Sequence, residues 1–426
     1  MITTRMPYEE LVKDDLVHSS LYTDPRVFEE ELERIFYRGW VYIGHESEVP
    51  EPGDYRTKQL GLQPVIMSRD KEERVHVLFN RCAHVGNLLC HHERGNSRAF
   101  RCPYHGWTFS NDGRLLGVPY PSGYGSSFSR KEFSEEFSLA RVPRVESYRG
   151  FVFGSMSAEG ESLQEHLGNA KADIDQLCDL SPEGEVELTG GWLKHRTRSN
   201  WKIVYENEVD GYHPKFVHKS IDSLRKWSLL DEADVGSEKS GSLVRYMGNG
   251  HANLDWRPPY RRADKKFLWL GAPKEEKLSG YIKAMEKRWG KEGAHEKLID
   301  GPPHTLIFPN LFIAELFILV IQPVSATESI QYQTPIFWKG APDLNKRNLR
   351  QTGGSIGPAG MVIADDAAMY ERNQMGLRAG SPEWLVRKRG EHREKQHPDG
   401  TITSVVTDDT AHRGFWGHYR ELMSKE

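Results

Sequence analysis

Two short stretches of the chain each combine one cysteine with one histidine. They read Cys82-x-His84 and Cys102-x2-His105, and 17 residues separate them. Two thiolates and two imidazoles form a ligand set that suits either zinc or a two-iron, two-sulfur cluster with two histidines on one iron. Cys90 lies between the pairs without a standard ligand spacing, so we expect it to be a packed residue. The two pairs predict a metal centre held by two loops.

A second group of residues with metal-binding chemistry lies near the middle of the chain. Asp210, His213 and His218 follow one another at spacings of three and five residues. On an undisturbed helix a spacing of five turns two side chains apart, but Pro214 permits a local break that can bring both imidazoles to one metal. Two histidines alone are weak evidence, and the preceding aspartate makes a second metal site the preferred interpretation.

The composition limits the classes of protein to consider. The 426 residues are enough for two or three domains, and the formal net charge of -4 gives no reason to expect nucleic acid or an anionic membrane as partner. The start, MITTRMPYEELVKDD, lacks the apolar run of a signal peptide, and no apolar stretch reaches the ~20 residues that span a bilayer. Four cysteines, two of them in the metal motif, are too few for a disulfide framework. We therefore expect a soluble, cytoplasmic protein.

Changes in hydrophobic period predict the elements that position the two groups. Residues 24–38 are predicted to form a helix capped by Asp24. Short β-type runs separated by Pro, Gly and charged turns continue to about residue 155 and indicate a small antiparallel domain with the cysteine motif on its loops. Helical and β-type segments then alternate, and the apolar run 305–324 is typical of a covered central sheet. The charged region 221–300 is predicted to be a surface excursion with one or two helices and a lid over the active-site mouth.

The ending Cys-Pro-Tyr-His-Gly-Trp at 102–107 makes the cysteine motif resemble that of the Rieske ferredoxins. With its Asp-x2-His-x4-His pattern, the chain resembles the catalytic α subunit of Rieske non-heme iron ring-hydroxylating oxygenases over nearly its full length. In that family a late carboxylate follows a Gly-Pro-Ala-Gly segment and an Asp pair, which match 357–360 and Asp365-Asp366 here.

This resemblance implies two iron cofactors. The implied ligands are Cys82, His84, Cys102 and His105 for a Rieske [2Fe-2S] cluster, and His213, His218 and Asp366 for mononuclear non-heme Fe(II). Asp365 is expected to be the neighbour of the ligand rather than the ligand itself. Asp210 is expected to be a catalytic residue that bridges His105 of one chain to His213 of the next, because a carboxylate can accept hydrogen bonds from both rings.

The resemblance also implies a fold and its domains. We expect an α+β protein in which a small antiparallel-β Rieske domain is inserted before a larger catalytic domain, whose central antiparallel sheet is flanked by helices. Residues 1–39 are expected to be an N-terminal helix segment of the catalytic domain, 40–155 the Rieske domain and 156–426 the catalytic domain.

The implied activity is that of an oxidoreductase that activates O2 to hydroxylate or cis-dihydroxylate an aromatic compound, as in the catabolism of aromatic hydrocarbons. The sequence has no Gly-rich dinucleotide fingerprint after a strand, so electrons from NAD(P)H are expected through a separate reductase, a ferredoxin or both. The domain plan resembles α subunits that assemble with a small β subunit as α3β3, with a bare α3 trimer as the alternative.

Seven residues are candidates for the substrate pocket: Glu206, Asn207, Val209, Phe317, Leu319, Ile356 and Val362. Leu319 stands where relatives that oxidise aromatic acids tend to carry an arginine, so we expect a substrate without a carboxylate deep in the pocket. Ile356 and Val362 are smaller than the aromatic residues of naphthalene-type enzymes, which favours a bulky substrate. Glu206 could meet a polar or amine group, or be structural.

Two alternatives to ring dihydroxylation stay open at this point. The first keeps both metals and performs monohydroxylation or oxidative N- or O-dealkylation of a substituted aromatic. The second, from another class, is a non-catalytic Rieske electron-transfer protein or a zinc-binding protein.

Overall fold

The structure is a computed structural model that describes residues 6–125, 129–219 and 236–425. The chain divides into two compact units, of which the smaller is Phe36–Gly160 and the larger combines Met1–Ile35 with Glu161–Glu426. The domain boundaries predicted at 39/40 and 155/156 differ from these by four and five residues.

The smaller unit is built from three antiparallel sheets. In pairing order, the first sheet consists of the strands Val75–Phe79, Gln63–Arg69, Asp54–Leu60 and Arg94–Asn96. The second sheet consists of Phe100–Arg101, Thr108–Phe109 and Leu115–Gly117. The third sheet consists of Arg144–Tyr148, Phe151–Ser155 and Val41–His45. One helix, Arg130–Phe137, completes the unit, with short 3-10 turns at Glu46–Glu48 and Pro121–Tyr124. This architecture confirms the predicted small antiparallel domain.

The core of the smaller unit includes three of the four cysteines. Cys82, Cys90 and Cys102 are buried in one hydrophobic cluster with Leu78 and Trp107. Burial raises the pKa of the Cys90 thiol to about 12, as expected of a packed residue rather than a ligand. Cys82 and Cys102, the cysteines of the two loops, therefore belong to the packed core of this unit.

The larger unit is organised around one antiparallel sheet of nine strands. In pairing order they are Leu193–Thr197, Glu328–Pro335, Phe317–Ser325, Leu311–Ile313, His304–Ile307, His251–Asp255, Leu243–Gly248, Ile402–Val405 and Lys395–Gln396. Two small two-stranded sheets pair Leu16–His18 with Trp384–Val386 and Val186–Glu187 with Phe337–Trp338. The apolar run 305–324 supplies three adjacent strands of the large sheet, as its composition predicts.

Helices surround this sheet. The described α-helices that lie wholly within the larger unit are Tyr8–Leu11, Pro25–Glu31, Leu163–Leu167, Lys171–Asp179, Trp201–Glu208, Pro214–Val217, Arg257–Ala263, Ser279–Asp300, Pro342–Gln351, Val362–Gly376 and Thr410–Ser424. The predicted first helix begins as expected, because the Asp24 side chain accepts a hydrogen bond from Arg26 N and Pro25 occupies the first turn. It continues from Leu32 to Tyr37 as a π-helix.

The charged region 221–300 differs from its prediction. Its described part, 236–300, contains the α-helices Arg257–Ala263 and Ser279–Asp300, but the strands Leu243–Gly248 and His251–Asp255 join the central sheet. The charged residues between these elements obscured the strands in the sequence. Residues 221–235, to which part of this prediction applies, lie outside the described residues, and the lid stays a prediction.

A buried ion pair fixes the Trp201–Glu208 helix from within the larger unit. Lys202 Nζ pairs with Glu31 Oε1, and both side chains are fully buried. Glu31 also accepts hydrogen bonds from Trp201 Nε1 at 2.8 Å and from Tyr419 OH at 2.7 Å. The Glu31 carboxylate therefore connects three helices, and both of its oxygen atoms have hydrogen-bond donors.

Over the described parts of the chain, no helix is both long and apolar enough to cross a membrane.

Candidate metal centres

The two Cys-His loops, 82–87 and 102–107, share one backbone arrangement. In each, the cysteine carbonyl accepts a hydrogen bond from the glycine four residues later, Gly86 or Gly106, at 3.0 Å. The cysteine N–H donates to the carbonyl five residues later, at 2.9 Å from Cys82 and 2.7 Å from Cys102. Both glycines have positive φ, 76° and 73°, which other residues adopt at a cost. Two matched turns thus present one thiol each.

The sulfur atoms of these loops lie on the buried side. Cys82 and Cys102 are 1% and 2% exposed, and their thiols contact each other. Burial opposes ionisation of the Cys102 thiol, but hydrogen bonds from the backbone N–H groups of Tyr104 and His105 outweigh it and lower its pKa. Backbone donors aimed at sulfur favour the thiolate, which is the form that binds metal.

The imidazoles of the same loops lie on the exposed side. His84 Nδ1 and His105 Nδ1 are 3.1 Å apart, so the two rings present the same nitrogen to one point. His84 stacks on Trp107 with ring centroids 5.2 Å apart, and His105 lies against Tyr104 at 3.8 Å. Two buried thiols below two facing Nδ1 atoms fit a cluster with sulfur ligands on one iron and nitrogen ligands on the other.

Asn80 braces the segment that joins the two loops. Its Oδ1 accepts hydrogen bonds from Leu89 N and Cys90 N at 3.0 Å each, and its Nδ2 donates to Cys90 O. The side chain is 2% exposed, so these bonds have no competition from water. Sequence reasoning missed Asn80, because a single asparagine after a strand carries no distinguishing signal.

Three donors converge in the larger unit and form the His-His-Asp group: His213, His218 and Asp366. The Nε2 atoms of both histidines lie 3.4 Å from Asp366 Oδ1, and the three ligand atoms are all within 4.8 Å of one another. Asp366 Oδ1 is buried, and no group of the described residues forms a hydrogen bond with it. Two imidazole nitrogens and a carboxylate oxygen within 4.8 Å of one another are an arrangement that a divalent cation can complete.

Local helix geometry brings the two histidines together. His213 precedes and His218 follows the short Pro214–Val217 helix, where Pro214 takes the first position. The sequence predicted that Pro214 would break a helix between them. Instead the break precedes His213, after the Trp201–Glu208 helix ends, and Pro214 begins the next helix. Asp366 comes from the Val362–Gly376 helix, so the group depends on long-range packing.

A second carboxylate lies behind each histidine. Asp210 Oδ2 is 3.4 Å from His213 Nδ1, and Asp365 Oδ2 is 3.7 Å from His218 Nδ1. These are ion-pair contacts, longer than hydrogen bonds, and they favour the tautomer that leaves Nε2 free for a metal. Burial opposes protonation of His213, but Asp210 and Asp366 outweigh it and raise its pKa to about 10. Of the Asp pair, Asp366 faces both Nε2 atoms and Asp365 does not.

Asp210 also faces a cavity of about 610 Å³ in the larger unit. Its side chain is 25% exposed, and its Oδ1 accepts a hydrogen bond from Tyr212 N at 2.6 Å. Among the other residues of the cavity wall are Tyr22, Glu206, Arg387, Asp409 and His412. The carboxylate thus contacts His213 on one side and open space on the other.

Comparison with protein families gives two matches along the chain. Residues 39–143 match the Rieske [2Fe-2S] domain, and residues 185–425 match the ring hydroxylating alpha subunit catalytic domain. The second match alone covers more than half of the sequence. The chain belongs to the α subunits of ring-hydroxylating dioxygenases.

Individual relatives agree with this assignment. Toluate 1,2-dioxygenase subunit alpha of Pseudomonas putida is 32% identical over 84% of this chain and 78% of its own. The N,N-dimethyl phenylurea N-demethylase subunit alpha of a Sphingobium strain is 32% identical over 85% and 80%. The structure of naphthalene 1,2-dioxygenase with indole bound superposes with a TM-score of 0.81 at 25% identity, covering 99% of this chain and 95% of that one.

The predicted family, fold class and oxidoreductase function are therefore confirmed for this α subunit. Its cofactors are a Rieske [2Fe-2S] cluster and mononuclear non-heme iron, and both donor sets described above fit them. A non-catalytic electron-transfer or zinc-binding protein would not account for the catalytic-domain match. The relatives are large components of multicomponent oxygenase systems, which require separate partners.

Glu206 of this α subunit is hydrogen-bonded to three protein side chains. Its Oε1 accepts hydrogen bonds from Arg387 Nη2 at 2.7 Å and Trp416 Nε1 at 2.8 Å, and its Oε2 accepts one from Tyr22 OH at 2.7 Å. Burial opposes ionisation, but Arg387 outweighs it and lowers the pKa of Glu206. These contacts favour the structural alternative for Glu206, and its contact with substrate stays a prediction.

Glu208, two residues later on the same helix, was missed. It is 6% exposed, and Tyr370 OH donates to its Oε1 at 3.2 Å. Burial and the negative charge of Asp366 raise its pKa to about 8. The sequence shows two acidic residues around Asn207 but gives no sign of which one lies close enough to feel the charges of Asp366 and His213.

The other pocket candidates are buried or half-buried around the same helix. Val209, Phe317 and Leu319 are buried, whereas Ile356 and Val362 are half-buried. Asn207 accepts a hydrogen bond from Tyr370 OH at 3.0 Å and lines the 610 Å³ cavity beside Asp210. The Trp201–Glu208 helix packs against the strand Phe317–Ser325, which carries two of these residues. Their contact with substrate stays a prediction.

Proposed function

We propose that His213, His218 and Asp366 hold the mononuclear iron of this oxygenase, and that the chain uses O2 to cis-dihydroxylate an aromatic ring. The observation that carries this proposal is the convergence of both Nε2 atoms on Asp366 Oδ1, which is buried and has no hydrogen-bond partner in the part of the chain that the structure describes. Two histidines and one carboxylate occupy one side of an iron and leave its remaining positions open, which is the arrangement that oxygen-activating enzymes use.

We propose Cys82, His84, Cys102 and His105 as the ligands of the cluster. Support comes from the matched loops, the buried sulfur atoms and the 3.1 Å approach of the two Nδ1 atoms. When bound, the two cofactors supply electrons singly and activate O2. Formation of a cis-dihydrodiol consumes the ring, one O2, two electrons and two protons, so an external reductant is required.

Asp210 is proposed to connect the two kinds of centre between neighbouring chains. Its Oδ2 contacts His213 Nδ1, and part of the carboxylate faces open space. His105 of a neighbouring chain, which is exposed at the tip of its loop, would donate its ring N–H to that free side. The role of Asp210 is to hold the orientation of His213 and to provide a hydrogen-bonded route to it.

The partners of this arrangement follow from the same chemistry. We propose a ring of three chains, so that each Asp210 meets the His105 of a neighbour, with a small β subunit completing α3β3. A bare α3 trimer is the alternative. Electrons from NAD(P)H are proposed to enter through a separate reductase, with or without a ferredoxin.

The proposed substrate is a bulky aromatic compound without a carboxylate deep in the pocket. Leu319 is 1% exposed on the strand Phe317–Ser325 and offers no charge to pair with an acid. Ile356 and Val362 add small aliphatic side chains near the ligand helices. This differs from the substrate named in toluate 1,2-dioxygenase, which is an aromatic acid.

A second candidate outcome is oxidative N-dealkylation. It is supported by the 32% identity to the N,N-dimethyl phenylurea N-demethylase subunit alpha. The same iron site could serve both reactions, since the position of the substrate decides which carbon is oxidised.

Product analysis with labelled dioxygen tests the proposal. Holoprotein carrying both cofactors is reduced through a surrogate reductase and supplied with ¹⁸O2 and a panel of neutral aromatic compounds. Ring dihydroxylation places label in both new hydroxyl groups, whereas monohydroxylation or dealkylation transfers one labelled atom. Absence of any oxygenated product, with the cluster shown to be reduced and the iron present, would contradict the proposed function.

A further inference from the structure

The Trp201–Glu208 helix ends five positions before His213, and the last carbonyl groups of a helix have no partner within the helix itself. Asn207 O accepts a hydrogen bond from Asp210 N at 3.1 Å, which begins the turn that carries Asp210 and His213. The carbonyl groups of Glu206 and Glu208, on either side of Asn207, receive hydrogen bonds from side chains of other elements. The direction in which the chain leaves the helix therefore depends on these donors.

One histidine holds each of the two carbonyl groups. His412 Nε2 lies 2.9 Å from Glu206 O, and His304 Nε2 lies 3.1 Å from Glu208 O. A carbonyl oxygen can only accept, so each ring donates its Nε2–H. His412 is 8% exposed and belongs to the C-terminal helix, whereas His304 is half-buried at the start of a strand of the central sheet. Two elements that are distant in sequence thus hold the end of one helix.

A carboxylate lies behind each ring. Asp409 Oδ1 is 3.7 Å from His412 Nδ1, and Glu315 Oε2 is 3.3 Å from His304 Nδ1. Burial opposes protonation of His412, but Asp409 and the charge of Glu206 outweigh it and raise its pKa. A positive ring at the C-terminal end of a helix is favoured by the helix dipole and donates a stronger hydrogen bond. We call the two pairs, His304–Glu315 and His412–Asp409, the histidine clamp.

One arm of the histidine clamp lies next to the residues that follow the helix. His412, Asp409, Asp210 and His213 all line the cavity of about 610 Å³. Asp210 and His213 are two and five positions from the end of the helix. A shift of the helix end would therefore move both of them.

A third histidine–carboxylate pair has the same geometry at another place in the larger unit. His166 Nε2 lies 3.1 Å from Phe308 O, and its Nδ1 lies 3.3 Å from Glu161 Oε1. His166 is 4% exposed, so its burial is comparable to that of His412. This pair holds a carbonyl that follows a strand of the central sheet, whereas the histidine clamp acts on the helix before the proposed iron site. It is a matched control.

We propose that the histidine clamp positions the iron site, because His304 and His412 hold the end of the helix from which the turn to Asp210 and His213 begins. Neither histidine is one of the three donors of the His-His-Asp group, so both are positioning residues that act through backbone carbonyl groups. This inference rests on the proposed function, in which His213 binds the iron and Asp210 connects it to the neighbouring chain.

The affinity for Fe(II) tests this inference independently of turnover. Holoprotein with its cluster intact is depleted of mononuclear iron, and the dissociation constant for Fe(II) is measured anaerobically against a competing chelator. We expect His304→Ala and His412→Ala each to raise this constant about 10-fold, since groups that orient a metal ligand contribute at least about that much to affinity. The rate of product formation at saturating Fe(II) should fall by a similar factor, because Asp210 is displaced as well.

Conservative variants separate positioning from general packing. His304→Gln and His412→Gln keep a side-chain N–H donor near the position of Nε2, so we expect them to bind Fe(II) within about 3-fold of wild-type protein. His166→Ala removes the matched pair and should lower the melting temperature without changing the dissociation constant for Fe(II) or the rate.

Milder variants repeat the test if an alanine variant does not fold. Asp409→Asn and Glu315→Gln leave both histidines in place and remove the charge behind each ring. We expect each to raise the dissociation constant for Fe(II) about 3-fold, since the ring is then held less firmly.

The inference would be overturned if folded alanine variants, or the milder variants in their place, bound Fe(II) as tightly as wild-type protein. Glutamine variants as weak as the alanine variants, or an equal loss of affinity in His166→Ala, would also overturn it, because the effect would then be one of packing. Failure of the proposed function has a different signature. In that case His213→Ala binds Fe(II) as tightly as wild-type protein, whereas failure of the inference alone leaves the need for His213 intact.

Discussion

The Cys-His loops and the His-His-Asp group are both proposed to hold iron, but they are built from different parts of the chain. The four proposed cluster ligands fall within 24 residues, and backbone hydrogen bonds shape both loops. The three proposed iron ligands span 153 positions from His213 to Asp366, and side-chain carboxylates support them. The cluster site is therefore encoded locally, whereas the iron site exists only in the folded unit.

The two sites also differ in their exposure to solvent. His84 and His105 are exposed at the tips of their loops, whereas Asp366 is 3% exposed. An exposed cluster edge suits exchange of electrons with other proteins. A buried iron site suits chemistry that must exclude water and hold an apolar ring. The difference predicts that each site can be damaged without damaging the other.

The largest expected effect comes from removing one proposed iron ligand. His218→Ala should lose the mononuclear iron and at least about 1000-fold in turnover, because two donors cannot hold the metal in an open site. The visible spectrum of the cluster should be unchanged, since His218 belongs to the other unit. Iron analysis and product formation measure both effects.

The matched control is His392→Ala, which removes an exposed histidine outside both metal sites. It should keep iron and turnover. If His218→Ala turned over substrate as fast as this control, the proposed difference between the two sites would be wrong.

A smaller loss is expected from Asp210→Asn. The amide keeps the shape of the side chain but removes the charge behind His213 Nδ1, so both cofactors should bind while turnover falls about 10- to 100-fold. The EPR spectrum of the reduced cluster and the iron content verify that both cofactors are present. An unchanged rate of product formation would exclude the connecting role proposed for Asp210.

The Trp201–Glu208 helix, which leads to the proposed iron site, depends on the buried charge of Glu31. The variant Glu31→Gln tests this dependence. Loss of the carboxylate leaves Lys202 buried without a partner and should lower the free energy of unfolding of the larger unit by about 3–5 kcal/mol. Urea unfolding followed by tryptophan fluorescence measures the change. Replacing the pair with Glu31→Met and Lys202→Met should recover much of it, and a loss below ~1 kcal/mol in the single variant would show that the pair is not needed.

In the smaller unit Asn80 has the corresponding stabilising role, and its replacement is expected to lower stability by less. Asn80→Ala leaves Leu89 N, Cys90 N and Cys90 O without their buried partner, which should cost about 1–3 kcal/mol. Loss of the cluster absorbance on heating should occur at a lower temperature, with the melting of the larger unit unchanged. Equal shifts in both units would contradict the local character of the cluster site.

The same contrast explains how much could be predicted from sequence. The cysteine loops were evident because their ligands, glycines and spacing lie close together in the chain. Asp366 could be named only through a resemblance to relatives, since 147 residues separate it from His218. The antiparallel sheet was evident where the strands are apolar, as in 305–324, and was missed in the strands Leu243–Gly248 and His251–Asp255, which lie in a charged region.

The two glutamates mark the limit of this kind of prediction. Glu206 and Glu208 have the same chemistry and lie on the same helix. What distinguishes them is Arg387, which is 181 positions away from Glu206 and reaches it only after folding. Spacing along a helix indicates that two side chains point in different directions but does not reveal which one finds a partner.

One measurement tests most directly whether the cluster supplies electrons and the His-His-Asp group activates oxygen. Wild-type holoprotein and His218→Ala are reduced anaerobically, freed of excess reductant and mixed once with an aromatic substrate and ¹⁸O2. The cluster EPR signal and the labelled product are then quantified together. We predict that wild-type protein loses the signal as labelled product forms, whereas His218→Ala forms none. Equal yields of labelled product from both proteins would contradict the assignment of oxygen activation to the His-His-Asp group.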